Sequence, residues 1–358
     1  MKKLLILLSI VVILPIFTLF CSADESTDKY ISDFEGILPD GFENITDTDR
    51  LMEMADMGSL ISELARLIMG EKGEISSFFF TLIGSLSLMA LATLAHERLG
   101  AAVESIVGMI CSVLIFSSVS PLINTVTDAV RQLSEFFGAL IPIVVGISAL
   151  GGETTGASVQ ASGMYTALSA VGGLGGSIFL SLSSFGLAMS LLSCFGNSGI
   201  QSVCRGLRGF FGWVTGIFTA LLTAVFSLQT IVASSVDSAA IRAVRYAASG
   251  LIPVVGSTVS GAMSTLAGGL SYAKGVVGGG AIVVILYMAL VPMALLLIYR
   301  LMLSLSVIFA DFCSCDGASR IFSAYRFSLD MIITVYALSA LIYLFEIVII
   351  TMMGVRSL

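Results

Sequence analysis

The sequence predicts an all-α polytopic membrane protein with about five to seven transmembrane helices, joined by short amphipathic and re-entrant helices. The mean hydropathy is +1.03. Hydrophobic residues make up 57% of the chain and charged residues only 11%, whereas soluble proteins carry about 25% charged residues. Apolar runs of roughly 20 residues recur along the chain, which is the length that crosses a bilayer. We therefore expect an integral membrane protein.

Residues 1–23 predict a secretory signal peptide. Two lysines precede a long apolar core, and the small residues Cys21 and Ala23 suit cleavage after position 23. The core is longer than is usual for a signal peptide, so an uncleaved anchor helix is the alternative. The bulky Phe20 argues against a lipoprotein cut at Cys21. Both interpretations place the chain from residue 24 outside the cytoplasm.

Residues 24–74 predict an acidic extracytoplasmic segment that is partly helical. This segment contains fourteen acidic and four basic side chains, a net charge of −10. Because phosphate groups would be repelled, we expect no nucleic-acid binding. Apolar residues recur at helical spacing over residues 51–68. They predict an amphipathic helix that folds onto the membrane body or docks a partner.

Residues 75–358 predict a multi-span membrane domain. Residues 125–137 are amphipathic and are expected to lie on the membrane surface. Residues 139–150 are apolar but short, which favours a re-entrant half-span. That arrangement would leave Arg205 and Arg208 on the cytoplasmic side, as the positive-inside rule prefers. The predicted spans cover residues 75–95, 101–123, 164–195, 210–234, 281–310 and 328–353.

A central element over residues 237–280 combines several unusual features. Its first part predicts a helix over residues 237–248, with Arg242 and Arg245 on one face. These arginines would contact lipid phosphates or line the mouth of a pore. A Ser-Gly pair ends this helix, and Pro253 suits the first turn of the next one.

The second part of the central element has small residues every four positions. Along an α-helix this spacing creates a groove in which a neighbouring backbone comes close, as is typical of helix packing in lipid. Lys274 and the glycines at 278–280 follow this groove. They predict a break in the helix and a re-entrant hairpin or interfacial turn. The alternative role of the glycines is close helix packing. The groove residues are Gly256, Ser260, Gly261, Ser264, Gly268 and Gly269.

The run RYAASGLIPVVGSTVSGAMSTLAGGLSYAKGVVG, which ends at Gly278, resembles the stage III sporulation protein AE family. The resemblance implies a subunit of a channel or secretion-like complex that links mother cell and forespore during endospore formation. It implies a multi-pass location in the mother-cell membrane that faces the forespore. The implied partners are the other stage III sporulation A-series membrane proteins with their separate ATPase, and stage II sporulation protein Q across the intermembrane space.

Two charged residues lie well inside predicted spans, away from the ends. Arg300 interrupts one apolar run and Glu346 lies well inside the last one. Charges in lipid cost free energy unless they are paired or hydrated. We therefore expect them to pair with each other or to line a polar cavity; snorkelling of Arg300 to the membrane boundary is the alternative.

No catalytic, cofactor-binding or metal site is predicted. His96 is the only histidine, which excludes a multi-histidine metal centre. Cys313 and Cys315 have flanking aspartates but no further nearby ligands, so they are expected to be reduced thiols. The motifs HExxH and GxSxG are missing from the sequence. We expect a non-enzymatic subunit of an oligomeric complex in contact with membrane lipids, with a small-molecule permease or transporter subunit as the alternative.

Overall fold

A computed structural model shows an all-helical chain in the part that it describes. Those residues contain no strand. The predicted signal peptide and most of the predicted acidic segment lie outside the described residues. The structure describes residues 28–39, 72–99, 101–150, 154–173, 180–192, 205–225 and 256–355, together with residues 42, 66, 70, 202, 203 and 227.

Nine helices can be assigned within these described ranges. They are α1 (Asp28–Glu35), α2 (Lys72–Leu99), α3 (Ala101–Val119), α4 (Pro121–Leu150), α5 (Thr154–Ser169), α6 (Leu180–Leu191), α7 (Arg205–Val225), α8 (Gly256–Phe312) and α9 (Asp316–Val355).

The two longest helices, α8 and α9, form an antiparallel hairpin. They contain 57 and 40 residues. The backbone N–H of Cys315 donates to the carbonyl of Ala310 at 2.9 Å, and that of Ser314 donates to Asp311 at 3.0 Å. These two bonds form a Schellman motif, which satisfies the last carbonyl groups of α8. Ser314 takes the left-handed conformation that this motif requires, with a φ of 55°.

The helices α2 and α3 pack around the half of the hairpin that lies next to the turn. The ring of Phe78 in α2 stacks on Tyr299 in α8 with centroids 4.5 Å apart. Near the start of α9, a Cβ atom added to Gly317 would lie 2.8 Å from Met89 of α2 and 3.1 Å from Glu104 of α3. Glycine at position 317 therefore lets three helices meet beside the turn.

The helices α4, α5 and α1 pack around the other half of the hairpin. The Phe137 ring of α4 stacks on Tyr343 of α9 with centroids 4.4 Å apart. The helix α5 returns along α4, and the hydroxyl of Ser148 donates to Oε1 of Gln160 at 2.6 Å. The short α1 contacts α4 and α8. These contacts enclose the hairpin in a common apolar core.

Five segments of the described chain are long and apolar enough to cross a membrane. This confirms the predicted all-α polytopic class and agrees with the predicted number of spans. The five segments are Lys72–Leu94, Val103–Ala149, Arg205–Val225, Ala273–Phe312 and Asp316–Thr351.

The structure corrects two predicted elements. Residues 125–137 and 139–150 are one continuous helix, α4, which passes through Pro142 without a break; the separate surface helix and half-span were wrong. Over the predicted span 164–195, the described residues are the end of α5, a π-helical turn and α6, and residues 174–179 lie outside the described part. After α5 the chain makes a π-helical turn over residues 170–173, within the glycine-rich run.

The predicted break at the glycines 278–280 was also wrong. The helix α8 runs through them without interruption, and Lys274 lies within the same helix rather than in a re-entrant turn. A Cβ atom added to Gly278 would overlap Oγ1 of Thr351 and lie 3.1 Å from its Cγ2 atom. Gly278 therefore allows α8 and α9 to come close, which was the alternative interpretation of these glycines.

We predict that Gly278→Ala destabilises the protein. The added methyl group forces α8 away from Thr351, and overpacking of this kind costs about 1–3 kcal/mol. Gly84→Ala is the matched control, since nothing lies within 4 Å of a Cβ atom at that helical position. The control is expected to be neutral or slightly stabilising. Thermal unfolding of the two variants in detergent measures the difference; equal midpoints would contradict the close contact.

Candidate functional site in the α8–α9 hairpin

An ion pair joins the two helices of the hairpin. The Nε atom of Arg300 in α8 donates a hydrogen bond to Oδ1 of Asp330 in α9. The two side chains are 45% and 39% exposed. The predicted pairing of Arg300 with Glu346 is therefore replaced by a pairing with Asp330. Charges within an apolar helix pair are stabilised by such a partner, because each compensates the desolvation of the other.

Three buried tyrosines of α9 each reach a different helix. The hydroxyl of Tyr325 donates to the Ser112 carbonyl of α3 at 2.8 Å, and that of Tyr336 donates to the Met288 carbonyl of α8 at 3.1 Å. The hydroxyl of Tyr343 lies 2.8 Å from the Ser134 hydroxyl of α4. All three side chains are fully buried. A buried hydroxyl needs a partner, so these contacts fix the rotation of α9 against its neighbours.

The helix α6 packs on α9 through small residues. The hydroxyls of Ser190 and Ser328 lie 2.8 Å apart. A Cβ atom added to Gly186 would lie 3.1 Å from the sulfur atom of Met331. Close contacts between small residues, supported by serine hydrogen bonds, are the usual means of helix association in lipid.

One acidic and one basic side chain are buried in the described part of the hairpin. Glu346 of α9 is 1% exposed, and Lys274 of α8 is 6% exposed. The Oε2 atom of Glu346 has no hydrogen-bond partner among the described residues. A buried carboxyl without a complete set of hydrogen bonds costs stability. Packing alone therefore does not explain why position 346 carries a carboxyl group.

The other sequence candidates have mixed outcomes. Arg242, Arg245 and Pro253 lie outside the described residues. The groove residues lie in the first 14 residues of α8, and their backbone is helical as predicted. Their side-chain contacts fall outside what the structure describes, so the groove stays a prediction. These residues are Gly256, Ser260, Gly261, Ser264, Gly268 and Gly269.

The cysteines beside the hairpin turn are reduced thiols. Cys313 is exposed and Cys315 is buried, with the Cys315 sulfur 3.6 Å from the Thr93 hydroxyl of α2. Among the described residues, no group of three or more His, Cys, Asp or Glu side chains is placed to hold a metal ion.

The comparison with known protein families identifies the family of this chain. The family model described as Stage III sporulation protein AE matches residues 53–354. The chain belongs to this family. A curated family member, stage III sporulation protein AE of Bacillus subtilis (strain 168), is 24% identical over 202 residues, which cover 55% of this chain and 51% of the relative. The match thus spans about half the length of that relative. No solved structure matches.

Membership of the stage III sporulation protein AE family confirms the resemblance found in the sequence. Sequence reasoning missed Asp330 as the partner of Arg300, although both flank the polar turn at about equal distance. It also missed the three tyrosines of α9. Their spacings of 11 and 7 residues place them on one face of a helix, and this periodicity was the available signal.

We predict that exchanging the charges of Arg300 and Asp330 preserves the hairpin. The single variants Arg300→Asp and Asp330→Arg should reduce the amount of folded protein in the membrane, because each places two like charges side by side. The double variant should recover most of it. Arg131→Asp is the control, since that side chain is 67% exposed on α4 and exposed pairs contribute little. Failure of the double variant to recover would contradict the ion pair.

We predict that Glu346→Met raises the thermal midpoint of the purified protein. Methionine has a similar length and no polar atom to desolvate, so it removes the cost of the buried carboxyl. Ser339→Ala on the same helix is the control: its hydroxyl is buried but bonds to the carbonyl of Val335. A lower midpoint for Glu346→Met would show that the carboxyl has a stabilising partner in the folded protein.

Proposed function

We propose that this protein is an integral membrane component of the channel or secretion-like complex between mother cell and forespore in endospore formation. It would act through helix packing and assembly and not through catalysis. Its place would be the mother-cell membrane that faces the forespore, with the N-terminal acidic segment on the extracytoplasmic side.

The observation that carries this proposal is the match to the sporulation family over residues 53–354, which includes the hairpin except its last residue, Val355. The use of polar side chains supports an assembly role. Asp330 and Tyr336 of α9 bond to the facing helix α8, and Ser328 of α9 contacts α6. The polar groups of the hairpin thus hold helices together.

The proposed partners are the other stage III sporulation A-series membrane proteins, their separate ATPase, and stage II sporulation protein Q across the intermembrane space. The strongly acidic composition of residues 24–74 suits contact with a basic surface in that space. The small-residue groove at the start of α8 suits contact with another helix, within this chain or in a second subunit.

A permease or transporter subunit is the second candidate function. It is favoured by the π-helical turn over residues 170–173, which follows the α-helix α5. Broken helices of this kind line substrate sites in transporters.

We predict that deleting the gene in its endospore-forming host abolishes heat-resistant spores and leaves vegetative growth and solute uptake unchanged. A subunit of the mother cell–forespore complex is needed only after the forespore has formed. Counting heat-resistant colonies and measuring uptake in growing cells separates the two candidates. The intact gene restored at another locus is the control. Normal spore numbers would contradict the sporulation role, and a defect in vegetative uptake would favour the permease.

A further inference from the structure

One part of the molecular surface has the character of a lipid-facing belt. Large apolar side chains are exposed on α2, on α3 and on the part of α8 next to the turn, and residues 78–94 and 105–119 contain no charged residue. The exposed fractions run from 42% at Met109 to 88% at Phe312. These side chains are Phe79, Phe80, Ile83, Leu88, Leu91, Leu94, Ile106, Met109, Ile110, Val113, Leu114, Leu297, Leu301, Leu305, Ile308, Phe309 and Phe312.

The outer face of α4 has the opposite character. Asp128, Arg131 and Glu135 are 62%, 67% and 69% exposed, and they form loose ion pairs with N–O distances of 3.8 Å. Among the side chains of α4 that the structure describes, residues 121–149, no large apolar one is exposed. The other exposed polar residues of α4 are Asn124, Thr125, Thr127 and Gln132, and those of α5 are Ser158, Ser162, Thr166 and Ser169. Three exposed charges on one face are incompatible with lipid contact along that face.

The polar face lies further along the hairpin than the apolar belt. Ser112 of α3 contacts Tyr325 of α9, and Ser134 of α4 contacts Tyr343 of α9. The helix α3 therefore contacts α9 near the turn, and α4, which comes next in the chain, contacts α9 further from the turn. The helix α4 thus lies beyond α3 along the axis of the hairpin and not beside it.

The hairpin is longer than a membrane is thick. The segment Asp316–Thr351 of α9 has 36 residues, which corresponds to about 54 Å of helix. The hydrocarbon core of a bilayer is about 30 Å thick. Even at a tilt of 40°, the upper end of the usual range, this segment would span about 41 Å. In contrast, the 23 residues of α2 in the belt correspond to about 34 Å, which matches one bilayer.

We propose that α4, α5 and the adjoining half of the α8–α9 hairpin form a water-exposed body outside the bilayer. Lipid acyl chains then surround α2, α3 and the apolar faces of the half of the hairpin next to the turn. The half-exposed charges of Arg300 and Asp330 in that half compensate each other through their ion pair. The length of α4 and its apolar residues suit a membrane span. In the structure, however, the apolar side chains of α4 form the interior of this body, where Val126, Leu133 and Leu140 are fully buried. This inference is independent of the proposed function.

The side of the membrane follows from the N-terminal segment. The helix α1 packs on α4 and α8, and the Phe42 ring meets the Tyr287 ring edge to face with centroids 5.4 Å apart. Residues 43–71 contain no apolar run long enough to cross a bilayer. Residues 28–42, the start of α2 and the water-exposed body therefore share one side, which is extracytoplasmic if the predicted leader directs export.

Cysteine labelling of the full chain in right-side-out membrane vesicles tests this placement. Thr127→Cys and Gln132→Cys probe the polar face, Ile83→Cys and Val113→Cys probe the belt, and Ser32→Cys on α1 marks the side. The probes are a small membrane-impermeant maleimide and a polyethylene-glycol maleimide too bulky for a narrow pore. Peptide mass spectrometry assigns each label and separates it from the native cysteines. Both polar-face cysteines should react with both probes, at least about tenfold faster than the belt cysteines, since only the thiolate reacts and it forms in water.

Three results would overturn the proposal. Protection of the polar-face cysteines until detergent is added would place α4 in lipid. Reaction with the small maleimide alone would place them in a narrow channel. Reaction only in inside-out vesicles, with Ser32→Cys reacting in right-side-out ones, would place the body on the other side.

A charge-insertion pair gives a second, independent measurement. Thr127→Asp should leave the amount of full-length protein in the membrane unchanged. Val113→Asp should lower it several-fold, because a carboxylate at a lipid-facing position opposes insertion of the helix. Equal loss in the two variants would overturn the water-exposed body, and equal tolerance would overturn the lipid belt.

Discussion

The packing of α8 against α9 is the contact on which the other helices depend. All the described helices from α2 to α6 pack on one or both of these helices. At the turn, the Schellman motif provides hydrogen bonds for the last carbonyl groups of α8. Both helices of the hairpin are longer than one bilayer is thick. Close approach at Gly278 and the Arg300–Asp330 pair set the register of the two helices. The buried tyrosines of α9 then connect this frame to its neighbours.

The distribution of polar surface divides the molecule along the hairpin axis. Water and lipid impose opposite requirements on exposed side chains, because an ionised group in lipid costs several kcal/mol. The apolar faces of α2 and α3 meet one requirement, and the charged face of α4 meets the other. A chain with 57% hydrophobic residues therefore has enough apolar sequence for both a membrane belt and the interior of a second, water-exposed layer. Hydropathy alone does not separate these two uses.

The sequence predicted the helical class and most span positions because these depend on composition and on runs of apolar residues. It predicted the family through the resemblance of the run that ends at Gly278. It failed where a local pattern has two physical meanings. The glycines at 278–280 favour either a break or a close contact, and only the position of Thr351 on the facing helix decides between them. Residues 139–150 are short as an isolated apolar run, but the amphipathic residues before them extend the same helix. The partner of Arg300 depends on the register of two helices, which no local pattern contains.

The central claim is that α8 stays helical and packed on α9 through the glycines and beyond the thickness of one bilayer. Oxidative cross-linking of the double variant Gly278→Cys/Thr351→Cys in native membranes tests it most directly, because disulfides form only between Cβ atoms about 3.5–4.5 Å apart. The control pair is Gly278→Cys/Phe345→Cys, since Phe345 is 53% exposed on α9. Rapid cross-linking of the first pair and none of the second is the predicted result. No cross-link in the first pair, or equal cross-linking of both pairs, would contradict the continuous hairpin.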